Sequence, residues 1–186
     1  MDTTDRMPSQ DIPADILQRA AKVRLACFDV DGTLTDGRLW FDADGRESKA
    51  FDVKDGQGLA LLRKAGIEVA FVTARHSAAA AHRARDLGVR SHVGVGDKRA
   101  CVVALAAELG IGMDEVSFMG DDLPDLPVMR AVGFAVAPAG AHAWTRERVH
   151  WQTAARAGEG AARELCDLLL QAQGLVDALL RAADAP

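Results

Sequence analysis

Residues 24–37 read RLACFDVDGTLTDG, an apolar, β-rich run that ends in two carboxylates, Asp29 and Asp31, followed by Gly32. A strand repeats every two residues, so at its end both carboxylates fall on one side. Two anions held so close call for a cation. A hard metal such as Mg²⁺ meets that need with oxygen ligands and also binds phosphate oxygens, while Gly32 lets the backbone come close to a ligand. An Asp-x-Asp pair alone is equally consistent with an acidic turn of capping aspartates. The longer run Asp-x-Asp-Gly-Thr-x-Thr-Asp-Gly is far more specific.

Outward from this stretch, apolar β-rich runs recur at 67–73, 89–95, 115–119 and 132–136. Between them, 57–65, 76–87, 98–109 and 125–131 are rich in Ala, Leu and Arg and fit crossover helices, each ending near Gly66, Gly88, Gly110 or Gly133. The alternation predicts an α/β fold, a Rossmann-like doubly wound parallel sheet. Ligands of such sheets bind outside the carboxyl ends of the strands, so the polar residues that follow each run are the candidates for chemistry.

The second run ends in Thr73 and Arg75, a hydroxyl and a guanidinium suited to phosphate and to an anionic substrate group; alone, Thr73 would read as a helix N-cap. Lys98 opens the next helix and could neutralise a phosphoryl group, although most lone lysines are simply solvated. The fourth run ends in Gly120-Asp121-Asp122, an acidic cluster that would complete a metal site, and Asp125 beyond it reads either as a metal neighbour or as a cap. Each has a plain explanation by itself. The set, arriving in this order from four strand ends, does not.

The remaining segments carry less. Residues 38–53 alternate around Asp-Ala-Asp-Gly and read as a β-hairpin too short to be a domain. Residues 1–11 are expected to be disordered, 12–22 to form a short docking helix, and 158–183 a helix with an apolar stripe at Leu165, Leu168, Leu169 and Ala172. The predicted organisation is an N-terminal extension and helix, 1–23, followed by a single domain, 24–186. The net charge of −5, the absence of Tyr and the lack of a basic block argue against nucleic acid. No run is long and apolar enough for a membrane span, and Cys27, Cys101 and Cys166 form no metal or disulfide pattern, so a cytoplasmic location is expected.

With Asp29/Asp31, Thr73, Lys98 and Asp121/Asp122 in view, residues 24–137 resemble the haloacid dehalogenase superfamily of phosphohydrolases, whose four motifs they match. The stretches DVDGTLTDGRLWF, FDVKDGQGLALL, GDDLPDLPVM and GEGAARELCDLLLQAQG are similar to a capless branch of it, the 3-deoxy-D-manno-octulosonate 8-phosphate phosphatases. This branch has relatives that act on nonulosonate 9-phosphates.

The resemblance implies an Mg²⁺-dependent phosphatase acting through an aspartyl phosphate, in lipopolysaccharide precursor synthesis. Asp29 would be the nucleophile and Asp31 the general acid and base, with Thr73 and Lys98 on the phosphoryl group. The metal would be held by Asp29, the Asp31 backbone carbonyl and Asp121, with Asp122 in support. Lys54, Arg75 and Arg83, with His76 beside them, would meet the carboxylate and hydroxyls of a sugar acid. The resemblance also implies a homotetramer in which hairpins pack around an axis and neighbouring subunits cover the active site. Leu39, Trp40 and Phe41 would supply the apolar contact, unless they pack on their own core.

The sequence departs from this pattern at three places. Glu159 stands where an arginine is usual, Gly140 where Asp-Ala-His is usual, and the stretch before Lys98 lacks Gln-Gly. Two further readings belong to other classes, a receiver-like phosphorylation switch and a noncatalytic binding subunit. The position of Asp-x-Asp on the first strand weighs against the former, and the intact acids against the latter.

Overall fold

The computed structural model describes residues 12–184; the disorder expected for 1–11 falls outside them. Six parallel strands form the main sheet, β1 (Leu25–Phe28), β4 (Glu68–Val72), β5 (Arg90–His92), β6 (Val116–Met119), β7 (Phe134–Ala139) and β8 (Trp151–Arg156). A separate two-stranded hairpin pairs β2 (Trp40–Phe41) with β3 (Glu47–Ser48). The sheet order is β5-β4-β1-β6-β7-β8. The chain leaves β1 toward β4 and later returns on its other side as β6, so the carboxyl end of β1 is the topological switch point.

Side chains of β1 alternate between two cores. Ala26 and Phe28 join one cluster, Leu25 and Cys27 the other. The first cluster is closed by α1 (Ala14–Ala21), α2 (Val53–Lys64), α3 (Ala78–Leu87) and α7 (Ala161–Ala172). The second is closed by α4 (Lys98–Leu109) and α5 (Leu126–Met129). Burial on both faces explains why the strands read as continuous apolar runs. The three cysteines are free.

Several expected boundaries are corrected. The helix placed at 57–65 begins at Val53, because Asp52 caps it by accepting from the amides of Lys54 (2.6 Å) and Asp55 (3.2 Å), and this ends the hairpin segment early. The tail is two helices, α7 and α8 (Val176–Ala183), broken where Gly174 takes a positive φ of 67°. Strand β8 and the short α6 (Ala143–Arg146) were not expected at all.

Helix α7 has no capping side chain of its own. Asp55, buried in α2, supplies one: its Oδ1 accepts from the Arg163 amide at 2.7 Å. Burial pushes the Asp55 pKa up to about 6, against the pull of that amide and those of Gly160 and Ala162. Gly58 sits at the same α2–α7 contact, where an added Cβ would come within 2.9 Å of Arg163 Cδ. Substituting Asp55→Ala is expected to lower stability by about 1–2 kcal/mol, the usual cost of a lost helix cap, while Asp55→Asn keeps an acceptor and loses less. Denaturant titration at fixed pH checks both.

Candidate active site

Asp29 extends β1 by one residue, its amide donating to the Met119 carbonyl of β6 at 2.9 Å. This fixes its carboxylate at the switch point, where it is 7% exposed. Lys98, the first residue of α4, reaches it from the opposite wall with Nζ 2.8 Å from Asp29 Oδ1 and 2.6 Å from Asp125 Oδ1. Asp125 is itself buried and accepts from the amides of Asp121 (3.0 Å) and Asp122 (3.3 Å), so it holds the loop after β6 against the lysine.

One lysine thus faces several carboxylates. Burial first, then the charge of Asp125, push the pKa of Asp29 up to about 6, with Lys98 pulling the other way. Burial and the charges of Asp125, Asp29 and Asp122 raise that of Asp121 to about 7. For Lys98, burial opposes the charged form, but Asp125 and Asp29 outweigh it and its pKa is raised. Oxygens of Asp29, Asp121 and Asp125 lie within 4.8 Å of one another. An all-oxygen, electron-rich set short of positive charge fits a hard divalent cation such as Mg²⁺. Gly32 fits the same requirement: its φ is +83°, and a Cβ there would strike the Asp121 carboxylate.

The two acids that follow Asp121 face different ways. The Asp122 carboxylate turns outward to cap the following turn, accepting from the Leu123 amide at 2.7 Å, and Asp125 takes the place beside Asp29 and Asp121. The reason is local: the 3₁₀ turn Leu123–Asp125 needs a cap at 122 and carries its own aspartate inward at 125.

Thr73 is buried at the end of β4, its Oγ1 accepting from the Arg75 amide at 3.3 Å. It is not the cap of α3, a role taken by Ser77 through the Ala80 amide at 3.2 Å. Arg75 is paired within the chain. Its Nη2 lies 2.8 Å from Glu47 Oε2 and its Nε 3.8 Å from Asp31 Oδ2. Asp31 also pairs with Lys49.

Lys54 is exposed in the first turn of α2, and Arg83 pairs with Asp86 at 2.8 Å while lying over Gly56. Neither is paired with Asp29, Asp31 or Asp121 among the described ion pairs. His76 packs its ring over Gly94.

Residues the sequence reading missed surround this centre. Glu47 and Lys49, at the end of the hairpin, reach it, and a strand of two residues carries no periodicity that would mark them in the sequence. Burial works against the Glu47 carboxylate, yet hydrogen bonds from Arg75, Ser77 and Lys49 hold its pKa down to about 2. On the other side, a cavity of about 270 Å³ is bordered by Arg38, Asp121, Gly140, Arg156 and Glu159. Arg156 arrives there through the irregular β7–β8 register, opposite Ala139. Gly158, with φ +67°, lies so close that a Cβ would come within 2.7 Å of the Asp36 amide nitrogen. The loop carrying Glu159 therefore seats on the Asp-x-Asp loop of its own chain.

No protein-family model matches the chain. Among known proteins, it is 42% identical over 160 residues to 3-deoxy-D-manno-octulosonate 8-phosphate phosphatase KdsC of Yersinia pestis, covering 86% of each chain. A crystal structure of a hypothetical protein from Xanthomonas campestris superposes with a TM-score of 0.94 at 61% identity, over 96% of this chain and 98% of that one. The 3-deoxy-D-manno-octulosonate 8-phosphate phosphatase of Moraxella catarrhalis, solved with a magnesium ion, a phosphate ion and a KDO molecule, superposes at 0.88 with 38% identity, over 91% and 98%.

Proposed function

Since the chain belongs to the 3-deoxy-D-manno-octulosonate 8-phosphate phosphatase family, within the haloacid dehalogenase superfamily, we propose that Asp29 takes the phosphoryl group of that sugar acid phosphate and passes it to water. The chain is a phosphoric monoester hydrolase with Mg²⁺ as its cofactor, and its main substrate is 3-deoxy-D-manno-octulosonate 8-phosphate. The observation that carries the mechanism is the buried Lys98 bridge between Asp29 and Asp125 at the switch point of the sheet.

In the first step an Asp29 carboxylate oxygen bonds to phosphorus as the bond from phosphorus to the sugar oxygen breaks. Asp31 gives that oxygen its proton. In the second step Asp31 takes a proton from water, whose oxygen attacks phosphorus and releases phosphate and the Asp29 carboxylate. Lys98 and the Thr73 hydroxyl bind phosphoryl oxygens through the transfer. Asp29, Asp121, Asp125 and the Asp31 carbonyl would hold the metal. Bound Mg²⁺ screens the phosphate so that an anionic nucleophile can approach. Phosphate release from octulosonate 8-phosphate, with and without Mg²⁺ and alongside nonulosonate 9-phosphates, tests the reading; a metal-independent rate would contradict it.

Metal and protons compete for the same carboxylates. Asp29 and Asp121 rise on folding from 3.8 to about 6 and about 7, so the folded chain binds these protons more tightly than the unfolded one. Metal-free stability therefore falls as pH climbs from about 4 through 7. Mg²⁺ is expected to raise the melting temperature more at about pH 8 than at about pH 6. Equal shifts at both would contradict the assignment of these carboxylates to the metal.

The site also needs a cover, because the hairpin is too small to exclude water. Leu39, Trp40 and Phe41 are 44%, 59% and 57% exposed on it. This supports the capless branch and a homotetramer joined through the hairpins, the neighbours closing each site over a substrate whose carboxylate and hydroxyls meet Lys54, Arg75 and Arg83. Light scattering should give four times the chain mass, and a Trp40→Glu variant a smaller species. A wild-type monomer at micromolar concentration would overturn the assembly. No helix of the described residues is long and apolar enough to cross a membrane, which supports the cytoplasmic reading. The boundary between a 1–23 extension and a 24–186 catalytic domain is likewise proposed, α1 docking on the α7 side of the core.

A further inference from the structure

We infer that Lys49 is a positioning residue for the general acid, its ammonium holding one oxygen of Asp31 so that the other is presented to the leaving group. The inference rests on the phosphatase reading above. Glu47 opens β3 and Lys49 directly follows it, and the two side chains meet each other beside Asp31. The Lys49 side chain is fully buried, paired with Asp31 Oδ1 and standing 3.0 Å from Glu47 Oε1. Glu47 is held in turn by Arg75 Nη2 at 2.8 Å and by the Ser77 hydroxyl, which donates to Oε1 at 2.8 Å.

Asp31 and Glu47 thus alternate with Lys49 and Arg75, and the four charges balance. A lysine gives up most of its rotamer freedom and its hydration when buried in this way, so such a residue is held by specific partners or not at all. The consequence for Asp31 is asymmetric. Oδ1 is tied to Lys49, whereas Oδ2 is buried, has no hydrogen-bond partner among the described residues, and lies 3.8 Å from Arg75 Nε. An acid that must deliver a proton to one oxygen of a bound ester and later withdraw one from water gains from this: one oxygen fixes the rotamer and the other is free to carry the proton.

A lysine that merely latched the hairpin would affect every substrate alike. A lysine that positions Asp31 slows the first step, phosphoryl transfer to Asp29, only for substrates whose leaving group needs a proton; the second step, in which Asp31 is the base, slows for all of them alike. Departure of the sugar alkoxide requires Asp31 to protonate the bridging oxygen as the bond to phosphorus breaks. 4-Nitrophenolate leaves without a proton. In single-turnover measurements Lys49→Met is therefore expected to lower the rate of phosphoryl transfer to Asp29 from octulosonate 8-phosphate by about 10²-fold, the lower end of what a general acid contributes, and from 4-nitrophenyl phosphate by less than about 3-fold. Lys49→Arg should recover part of the first loss.

The double variant Glu47→Gln/Lys49→Met keeps the local charge balanced and guards against simple misfolding; the same selectivity for leaving group is expected of it. Equal losses in the rate of phosphoryl transfer from both substrates, in a variant that melts like wild type, would overturn the positioning role while leaving the phosphatase reading intact. A wild-type enzyme that hydrolyses 4-nitrophenyl phosphate and no sugar acid phosphate would overturn that reading and this inference with it.

Discussion

Asp29→Asn is expected to abolish turnover, with kcat falling by on the order of 10⁴-fold or more, as removal of a covalent nucleophile does. The amide is close to isosteric, so the fold should hold. It also removes one charge from a group crowded by Asp121 and Asp125, whose oxygens lie within 4.8 Å. In the absence of metal the variant should therefore melt no lower than wild type at neutral pH, because the carboxylate it replaces is held ionised against burial and its neighbours. Loss of activity without loss of stability separates a chemical role from a structural one. Steady-state kinetics and thermal unfolding on the same preparation provide both readouts.

Lys98→Met has the opposite signature. The lysine joins two carboxylates that are almost fully buried, at 2.8 and 2.6 Å, and the methionine leaves both without their cation. Breaking a buried pair from one side costs about 3–5 kcal/mol, and loss of a phosphoryl-binding charge costs a further 10²–10³-fold or so in kcat. The stability deficit depends on pH in a definite direction. Asp29 and Asp121 already titrate near 6 and 7 with Lys98 pulling them down, so without it they take up protons at higher pH still. The deficit should be largest above about pH 8 and shrink as pH falls toward 5, where the neutral acids no longer need a counter-ion. A deficit independent of pH would mean that the lysine acts through packing alone.

The centre of the site was legible because its chemistry is written at strand ends. Asp29, Thr73, Lys98 and Asp121 each follow an apolar run or open a helix, and the order of the runs defines the switch point at which they meet. What escaped the sequence lies where side-chain direction, not order along the chain, decides the outcome. Asp122 and Asp125 are equally acidic in sequence; only the turn between them determines that the first caps Leu123 and the second faces Lys98.

Lys49 lies in a hairpin whose strands are two residues long, too short for periodicity to mark which side faces inward. Strand β8 is an edge strand with a mostly exposed or half-buried pattern, so WQTAAR offers no apolar run. The break in the tail did have a signal, Gly174, outweighed by the leucine stripe before it. The pairing of the Arg75 guanidinium with Glu47 and Asp31 likewise has no sequence signal, since those partners lie 28 and 44 residues away along the chain.

Passage of the phosphoryl group through Asp29 is the step on which the mechanism turns. Turnover quenched in acid and reduced with borohydride converts an acyl phosphate to an alcohol at the carbon that carried it, and peptide mass spectrometry locates the change. Homoserine at position 29 is the predicted product, appearing only with substrate and Mg²⁺ present. An unmodified Asp29 under conditions of rapid phosphate release, or modification at Asp31 or Asp121 instead, would contradict it.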